Sequence, residues 1–95
     1  MILVKFVFFD FLAYLAPAVE WKIEESSGST VKEILAMLSA RMDDKFRRAV
    51  FDEAGNLQAG ILITLDDQLI HSEQIEMIKI EKDSEIKIIP LALGG

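Results

Sequence analysis

Hydrophobic residues follow a two-residue period near the start of the chain. Residues 2–9 (ILVKFVFF) are β-branched and aromatic, and residues 18–24 (AVEWKIE) alternate apolar with charged positions. Both patterns are typical of β-strands, and their closeness in sequence predicts a hairpin with a long connection that contains at most one loose helical turn. Alternation in the first strand gives one face with Val4, Phe6 and Phe8 and an opposite face with Lys5, Val7 and Phe9.

The period changes to that of a helix at Thr30. Thr30 followed by Glu33 forms a capping-box pattern, which predicts that a helix begins there and runs over residues 31–42. Apolar residues then recur at helical spacing on one side, at Val31, Ile34, Leu35, Leu38 and Met42. Residues 43–50 are more polar and are compatible with a second, short helix.

The second half of the chain predicts three more strands. Residues 57–65 (LQAGILITL) form the first, in which Ile61, Ile63 and Leu65 share one face and Leu62 and Thr64 the other. Asp66-Asp67 predicts a turn into a short strand over residues 68–70, and residues 71–80 are irregular by pattern. The last strand covers residues 85–89 and is expected to stop at Pro90, which has no N–H for a ladder.

This order of elements predicts a two-layer α+β domain over residues 1–90. Its mixed sheet has four to five strands, with one principal helix on one face. Segments 2–9 and 85–89 are uniformly apolar, so we expect them to run parallel in the centre of the sheet. Residues 91–95 are predicted to be a flexible tail, because they have too few apolar neighbours to offset the entropy of ordering.

Composition excludes several classes of function. The net charge is −6 and the only basic pair is Arg47-Arg48, so we expect no nucleic-acid partner. The chain has no cysteine and one histidine, His71, and its adjacent acidic residues lack metal-ligand spacing, so we predict no metal site and no independent active site. Lys5 and Asp10 interrupt the apolar N-terminal run, so we expect neither a signal peptide nor a membrane span, and a cytoplasmic location.

The candidate chemistry lies in the last residues. An apolar segment after Pro90 leads to Gly94-Gly95, and nothing follows. Glycine has no Cβ, so such an end can thread a narrow channel and approach a second protein's active site closely. The α-carboxylate of Gly95 could then be activated as a mixed anhydride with AMP and attacked by a sulfur nucleophile. An inert tail is the alternative from composition alone.

Three stretches resemble one family of small proteins. Residues 4–9 (VKFVFF) with 12–15 (LAYL) resemble the family's opening strand and its sequel, and residues 29–35 (STVKEIL) resemble its "TVEEL" helix start. Residues 82–90 (KDSEIKIIP) with Gly94-Gly95 resemble its "DGDEVAFFPPVAGG" ending. The family is that of the MoaD/ThiS-type ubiquitin-like sulfur carriers, which includes the molybdopterin synthase small subunit. Pro90-Leu91 replaces the usual Pro-Pro pair, and Asp66 stands where Asn is common.

The resemblance implies a β-grasp (ubiquitin-like) fold for residues 1–90 and a sulfur-carrier function. A ubiquitin-activating-type enzyme would adenylate Gly95 with ATP, which this chain does not bind itself, and Gly95 would become a thiocarboxylate. The sulfur acceptor would resemble the catalytic large subunit of molybdopterin synthase, which makes this chain a sulfur-donating subunit in molybdenum or tungsten cofactor biosynthesis. Two alternatives stay open: a protein modifier that forms isopeptide bonds through Gly95, and a binding domain with an inert tail.

Partner contacts are predicted on the sheet face away from the helix. Val7, Phe9, Leu62 and Ile89 fall on that face by alternation, and clustered exposed apolar residues on adjacent strands are typical of an interaction surface. The start of the tail adds Pro90, Leu91 and Leu93 as predicted partner contacts. Ordinary exposed apolar area is the alternative explanation.

Overall fold

A five-stranded mixed sheet forms one layer of the molecule, and helices form the other. The computed structural model describes residues 1–91. Its sheet has the strand order β2-β1-β7-β4-β5. The strands in chain order are β1 Ile2–Phe8, β2 Glu20–Glu25, β3 Ser29–Thr30, β4 Ile61–Leu65, β5 Gln68–Ile70, β6 Lys79–Ile80 and β7 Ser84–Pro90.

The two outermost strands of the chain lie side by side in the middle of this sheet, as predicted. β1 and β7 run parallel, with Phe6 opposite Ile86 and Phe8 opposite Ile88. These four side chains are buried, because both flanks of the pair are covered by other strands and one face is covered by helices. β2 is antiparallel to β1, and β4 is antiparallel to both β7 and β5.

Residues 1–91 contain three α-helices, α1 Leu12–Leu15, α2 Val31–Arg41 and α3 Asp44–Val50, and a single 3₁₀ turn at Ser72–Gln74. The predicted capping box begins α2. The hydroxyl oxygen of Thr30 accepts from the N–H of Glu33 at 3.1 Å, and the Glu33 carboxylate accepts from the N–H of Thr30 at 2.9 Å. That second bond lowers the pKa of Glu33, because it stabilises the charged carboxylate. The predicted apolar side of α2 is buried throughout.

The short helix α3 contributes more to the core than its polar composition indicated. Phe46 is fully buried, and its ring meets that of Phe8 edge to face with centroids 5.3 Å apart. The Asp43 side chain caps α3 by accepting from the N–H of Phe46. The Arg47 guanidinium donates to the carbonyl of Met42 at 2.5 Å and to that of Ser39 at 3.2 Å, which ties α3 to the end of α2.

Three local predictions were wrong in detail. The strand predicted over 57–65 begins only at Ile61, because Leu57 forms an isolated bridge with Phe51 and Gly60 turns the chain at φ +91°. The segment predicted to be irregular over residues 71–80 contains β6, which pairs with β3, a two-residue strand that no pattern predicted. The last strand does not stop before Pro90, since Pro90 is the register partner of Ile61.

The Asp66-Asp67 turn is confirmed, with a geometry that explains its residues. Both residues have positive φ, at 48° and 69°, and they join β4 to β5 through a two-residue connection. That conformation is typical of the primed hairpin turns, in which aspartate and asparagine are tolerated. Within residues 1–91, no helix is long and apolar enough to cross a lipid bilayer.

Candidate functional site

The C-terminal segment leaves the domain from the middle of the sheet. β7 lies between β1 and β4, and its last residue, Pro90, is the register partner of Ile61. Beyond it, the N–H of Leu91 donates to the carbonyl of Gly60 at 2.7 Å. The positive φ of Gly60 brings the chain into β4 just before this point. The base of the tail is therefore held between two neighbouring strands.

An apolar row crosses the sheet beside this exit point, on the face away from the helices. It consists of Phe9, Ile89 and Leu62. Ile89 and Leu62 are register partners, and the N–H of Phe9 donates to the carbonyl of Ile88 at 3.2 Å, which places Phe9 beside Ile89. Phe9 is 36% exposed, and the other two side chains are half-buried. The structure thus brings together three of the four residues predicted for the sheet face.

The fourth predicted residue, Val7, begins the next row toward the far end of the sheet. Val7 lies opposite Lys87 on β7, and Lys87 lies opposite Thr64 on β4. Thr64 in turn lies opposite Leu69 on β5, whose side chain is 51% exposed. Sequence reasoning missed Leu69 because its strand is only three residues long. The alternation around the Asp66-Asp67 turn could have identified it.

Charged side chains occupy the rest of this face. Lys5 forms ion pairs with Glu20 at 3.3 Å and with Glu85 at 3.4 Å, and Lys87 pairs with Asp67 at 2.6 Å and with Glu85 at 3.7 Å. Glu20 raises the pKa of Lys5, with a smaller effect of Glu85, and Asp67 does the same for Lys87. Both lysines are therefore charged at neutral pH, so a partner on the apolar row also meets a band of fixed charges.

Pro90, Leu91 and Leu93 were predicted as partner contacts at the base of the tail. The prediction for Pro90 is wrong, because Pro90 is buried on the helix-facing side of the sheet and is not part of the apolar row. Leu91 is 44% exposed and lies where the tail begins. Leu93, Gly94 and Gly95 lie outside the described residues, so the predicted flexible tail and its terminal chemistry stay predictions.

Other parts of the molecule offer weaker candidates. A cavity of about 620 Å³ lies between α3 and residues 52–58, but Arg47, which lines it, already binds the carbonyls at the end of α2 and the carboxylate of Asp44. His71 lines a groove of about 230 Å³ beside Gly60. Within residues 1–91, no three histidine, aspartate or glutamate side chains come close enough together to hold a metal ion.

Comparison with protein families gives one match that spans nearly the whole chain. The model of the ThiS family matches residues 7–95, so the match includes the end of β1, the helices, β7 and the terminal Gly94-Gly95. No curated protein matches the chain by sequence.

Solved structures agree on the fold. Small archaeal modifier protein 1 (SAMP1) from Haloferax volcanii superposes with a TM-score of 0.83 at 18% identity, over 98% of this chain and 99% of that one. A putative molybdopterin converting factor, subunit 1, from Pyrococcus furiosus gives 0.74 at 20% identity, over 97% and 100%. The Amycolatopsis orientalis BexX/CysO complex gives 0.68 at 22% identity, over 97% and 99%. The predicted β-grasp fold, which ubiquitin-like sulfur carriers share, is confirmed.

Proposed function

The chain belongs to the ThiS family, and on that premise we propose that it is a sulfur carrier that works through the carboxylate of Gly95. The observation that carries the proposal is the position of Leu91, the last described residue before Gly94-Gly95. Leu91 follows the central strand β7 and lies next to an exposed apolar row. A partner seated on that row receives the chain end in a defined direction.

The distances support this arrangement. Four residues follow Leu91, and a fully extended chain of that length spans at most about 14 Å. A partner's active site must therefore lie within about that distance of Leu91. The apolar row is the first exposed apolar surface at this end of the sheet. We propose that Val7, Phe9, Leu62 and Ile89, together with Leu69, form the docking surface, and that Leu91 and Leu93 make contacts along the entry channel.

The proposed chemistry has two steps. An adenylating enzyme of the ubiquitin-activating type joins a Gly95 carboxylate oxygen to the α-phosphorus of ATP, and pyrophosphate leaves. A hydrosulfide equivalent then attacks the carbonyl carbon, a C–S bond forms, and AMP leaves with the former carboxylate oxygen. The product is a thiocarboxylate on Gly95, and neither the sulfur nor the carbon is oxidised or reduced in these two steps. ATP is bound by the partner, because the chain has no glycine-rich phosphate loop.

The proposed sulfur acceptor is a large subunit of the molybdopterin synthase type, which makes this chain the non-catalytic, sulfur-donating subunit. The likeness to the putative molybdopterin converting factor subunit supports this choice of pathway. We propose a cytoplasmic location, where ATP and an adenylating enzyme would be available. Activation and transfer use the same carboxylate, so the two partners must bind in turn, and we propose that they compete for the docking surface.

Intact-mass spectrometry of the protein purified from its native host tests the proposal. The expected species carries sulfur in place of one oxygen, and fragmentation assigns the change to Gly95. The modified form should disappear when the adenylating enzyme is deleted. A plain carboxylate under every growth condition would contradict the proposal and favour the alternative of a binding domain with an inert tail.

A second candidate function is that of a protein modifier. The likeness to small archaeal modifier protein 1 favours it, since the same activated Gly95 could form an isopeptide bond with a lysine. The same experiment separates the two. Lys87 is the last tryptic site before Gly95, so a conjugate would leave residues 88–95 branched from a lysine after tryptic digestion. Peptides with that branch support the modifier, and thiocarboxylate without conjugates supports the carrier.

Complementation in the host tests the pathway. Deletion of the gene should abolish the activity of molybdenum or tungsten enzymes, and the intact chain should restore it, whereas a chain that lacks Gly95 should not. If the chain is thiocarboxylated but deletion of its gene leaves those enzymes active, the sulfur-carrier function is supported and this sulfur acceptor is excluded.

A further inference from the structure

One long strand edge of the main sheet has no partner in the part of the chain that the structure describes. β2 pairs with β1 on one side only, and its six residues lie at the edge of the sheet. The opposite edge is β5, which has only three residues. A free edge exposes backbone N–H and C=O groups that can pair with another chain.

The register identifies which backbone groups of β2 are free. The N–H of Phe8 donates to the carbonyl of Val19, and in an antiparallel pair such bonded residues alternate with unbonded ones. Trp21 and Ile23 therefore bond to β1, whereas the N–H and C=O groups of Glu20, Lys22 and Glu24 point away from the sheet. On β5 the same reasoning leaves only the backbone N–H and C=O groups of Leu69 pointing away from the sheet.

Side chains along this edge form a regular chemical pattern. Glu20, Lys22 and Glu24 are exposed and lie on the open face of the sheet, so the edge presents the order negative, positive, negative. Trp21 and Ile23 lie on the helix-facing side, where Trp21 is only half-buried and provides an apolar surface at the margin. At the end of the strand, one carboxylate oxygen of Glu25 is screened from solvent and has no hydrogen-bond partner among the described residues.

We propose that β2 is a second docking site, which binds an extended segment of a partner protein as an added β-strand. Residues that lie opposite each other in a sheet share a face. The segment that fits therefore places basic residues opposite Glu20 and Glu24, an acidic or neutral residue opposite Lys22, and β-branched residues opposite Trp21 and Ile23. Its five-residue pattern is basic, apolar, acidic, apolar, basic, and it is the same in either strand direction.

A second copy of this chain does not fit the same edge in full register. Antiparallel pairing of two β2 strands centred on Lys22 places Lys22 against Lys22 and Glu20 against Glu24. Like charges directly opposite each other destabilise a strand pair. The charges of this edge thus disfavour self-pairing in that register and favour a strand of the complementary pattern.

A synthetic peptide provides the test. The probe is the acetylated, amidated heptapeptide Thr-Lys-Val-Glu-Val-Lys-Thr, titrated into the full chain labelled with ¹⁵N. We expect hydrogen exchange to slow at the amides of Glu20, Lys22 and Glu24, because their free N–H groups become bonded. The amides of Trp21 and Ile23 are already bonded to β1 and serve as internal controls. A peptide in which Lys and Glu are exchanged has the same strand propensity and should bind at least about tenfold more weakly.

Two variants separate backbone pairing from charge. Lys22→Pro removes an outward N–H that β1 does not use, and should lower peptide affinity about tenfold or more. Lys22→Thr keeps the N–H and is the matched control, with less than about a threefold change. Glu24→Lys should lower affinity about two- to fivefold, and added salt should reduce the difference.

A peptide that carries an N-methyl group on its central residues tests the same point without altering the protein, in case Lys22→Pro does not fold. It should lose binding as Lys22→Pro does. Three results would each overturn the proposal: equal binding of the charge-exchanged peptide, full binding of the N-methylated peptide, or amide changes confined to Val7, Leu62 and Ile89.

Discussion

The N–H of Leu91 donates to the carbonyl of Gly60 at 2.7 Å, so the pairing of β7 with the chain at β4 continues one residue beyond Pro90. Pro90 and Ile61 form a pair that is not hydrogen-bonded in this antiparallel ladder, so the missing N–H of Pro90 removes no bond to β4. Leu91 is the last described residue, and its backbone direction is set by this contact. The tail thus begins at a hydrogen-bonded residue beside the apolar row. The effect of the tail on partner binding can therefore be measured separately from the stability of the domain.

Deletion of Gly94 and Gly95 should leave the unfolding temperature nearly unchanged and abolish activation. Both residues follow the last contact that the structure describes, and the proposed chemistry needs the Gly95 carboxylate. Differential scanning calorimetry measures the first effect, and ATP-pyrophosphate exchange with the host's adenylating enzyme measures the second. A large fall in melting temperature would mean that the tail stabilises the domain.

Phe9→Ser should weaken the binding of both partners by about 1–3 kcal/mol, because exposed aromatic anchors dominate interface energies. Stability should fall by less than about 1.5 kcal/mol, since Phe9 lies outside the core. Calorimetric titration with each partner, beside denaturant unfolding of the same variant, separates the two effects.

Phe11→Ser is the matched control for this substitution. Phe11 is an exposed phenylalanine two residues further along the chain and is not part of the apolar row. It should leave partner affinity within about a factor of three, which is the range of ordinary surface changes. If Phe9→Ser binds both partners normally, the docking surface lies elsewhere.

Thr30→Ala should lower the free energy of unfolding by about 1 kcal/mol. The substitution removes the side-chain acceptor for the Glu33 N–H and leaves the carboxylate bond to the Thr30 N–H in place. Thr30→Ser retains an acceptor oxygen and should restore most of the loss. Urea unfolding of the three proteins measures it, and equal stability of all three would contradict a capping role.

Phe46→Ala should lower the free energy of unfolding by about 3–5 kcal/mol, as expected for loss of a buried phenylalanine. Phe46 is fully buried and packs edge to face on Phe8. Phe46→Leu keeps most of the volume and should cost about 1.5 kcal/mol or less. Guanidinium unfolding of the leucine variant remains measurable even if the alanine variant does not fold. A change below about 1 kcal/mol for alanine would mean that α3 is not part of the core.

Stability should decrease as the pH falls through the range where carboxylates titrate. The pKa of Glu33 is lowered by the Thr30 N–H, that of Glu76 by Lys32 at 2.6 Å, and that of Asp44 by Arg47. A carboxylate whose pKa is lower in the folded state stabilises the fold at any pH above its unfolded-state pKa. That stabilisation is lost as the pH falls through its folded-state pKa. The loss should begin below pH 4.5, the ordinary value for glutamate.

Glu33→Gln tests this dependence at one position. It should flatten the fall in unfolding free energy between pH 6 and pH 3 relative to the parent chain, because one group that binds a proton more tightly when unfolded is gone. Thermal unfolding across that pH series measures it. An unchanged slope would mean that the Glu33 carboxylate titrates alike in both states.

Sequence patterns predicted a strand or helix correctly where buried residues recur along it at a regular spacing. The alternation of Val4, Phe6 and Phe8 and the helical spacing after Thr30 were both confirmed, because each reflects a side chain that must leave water at a fixed geometric period. The parallel central pair followed from two uniformly apolar strands. The family followed from local motifs, of which the Gly94-Gly95 ending is the most specific.

Other features depended on contacts between distant residues. Phe46 lies in a polar segment, and only its packing on Phe8 shows that it belongs to the core. Leu57 was included in the strand predicted over residues 57–65, whereas the turn at Gly60 and the bridge to Phe51 remove it from the ladder.

The sequence by itself determined the period of each element, the cap of the principal helix and the Gly94-Gly95 ending on which the proposed chemistry depends, since these involve residues close together along the chain. Only the tertiary structure placed Phe9, Ile89 and Leu62 in one row, buried Pro90 on the opposite face and left β2 with a free edge. Those outcomes are set by strand order and register, which arise from pairing between segments as far apart as Val4 and Ser84. A one-residue shift in that pairing would exchange the faces, so no local pattern could decide them alone.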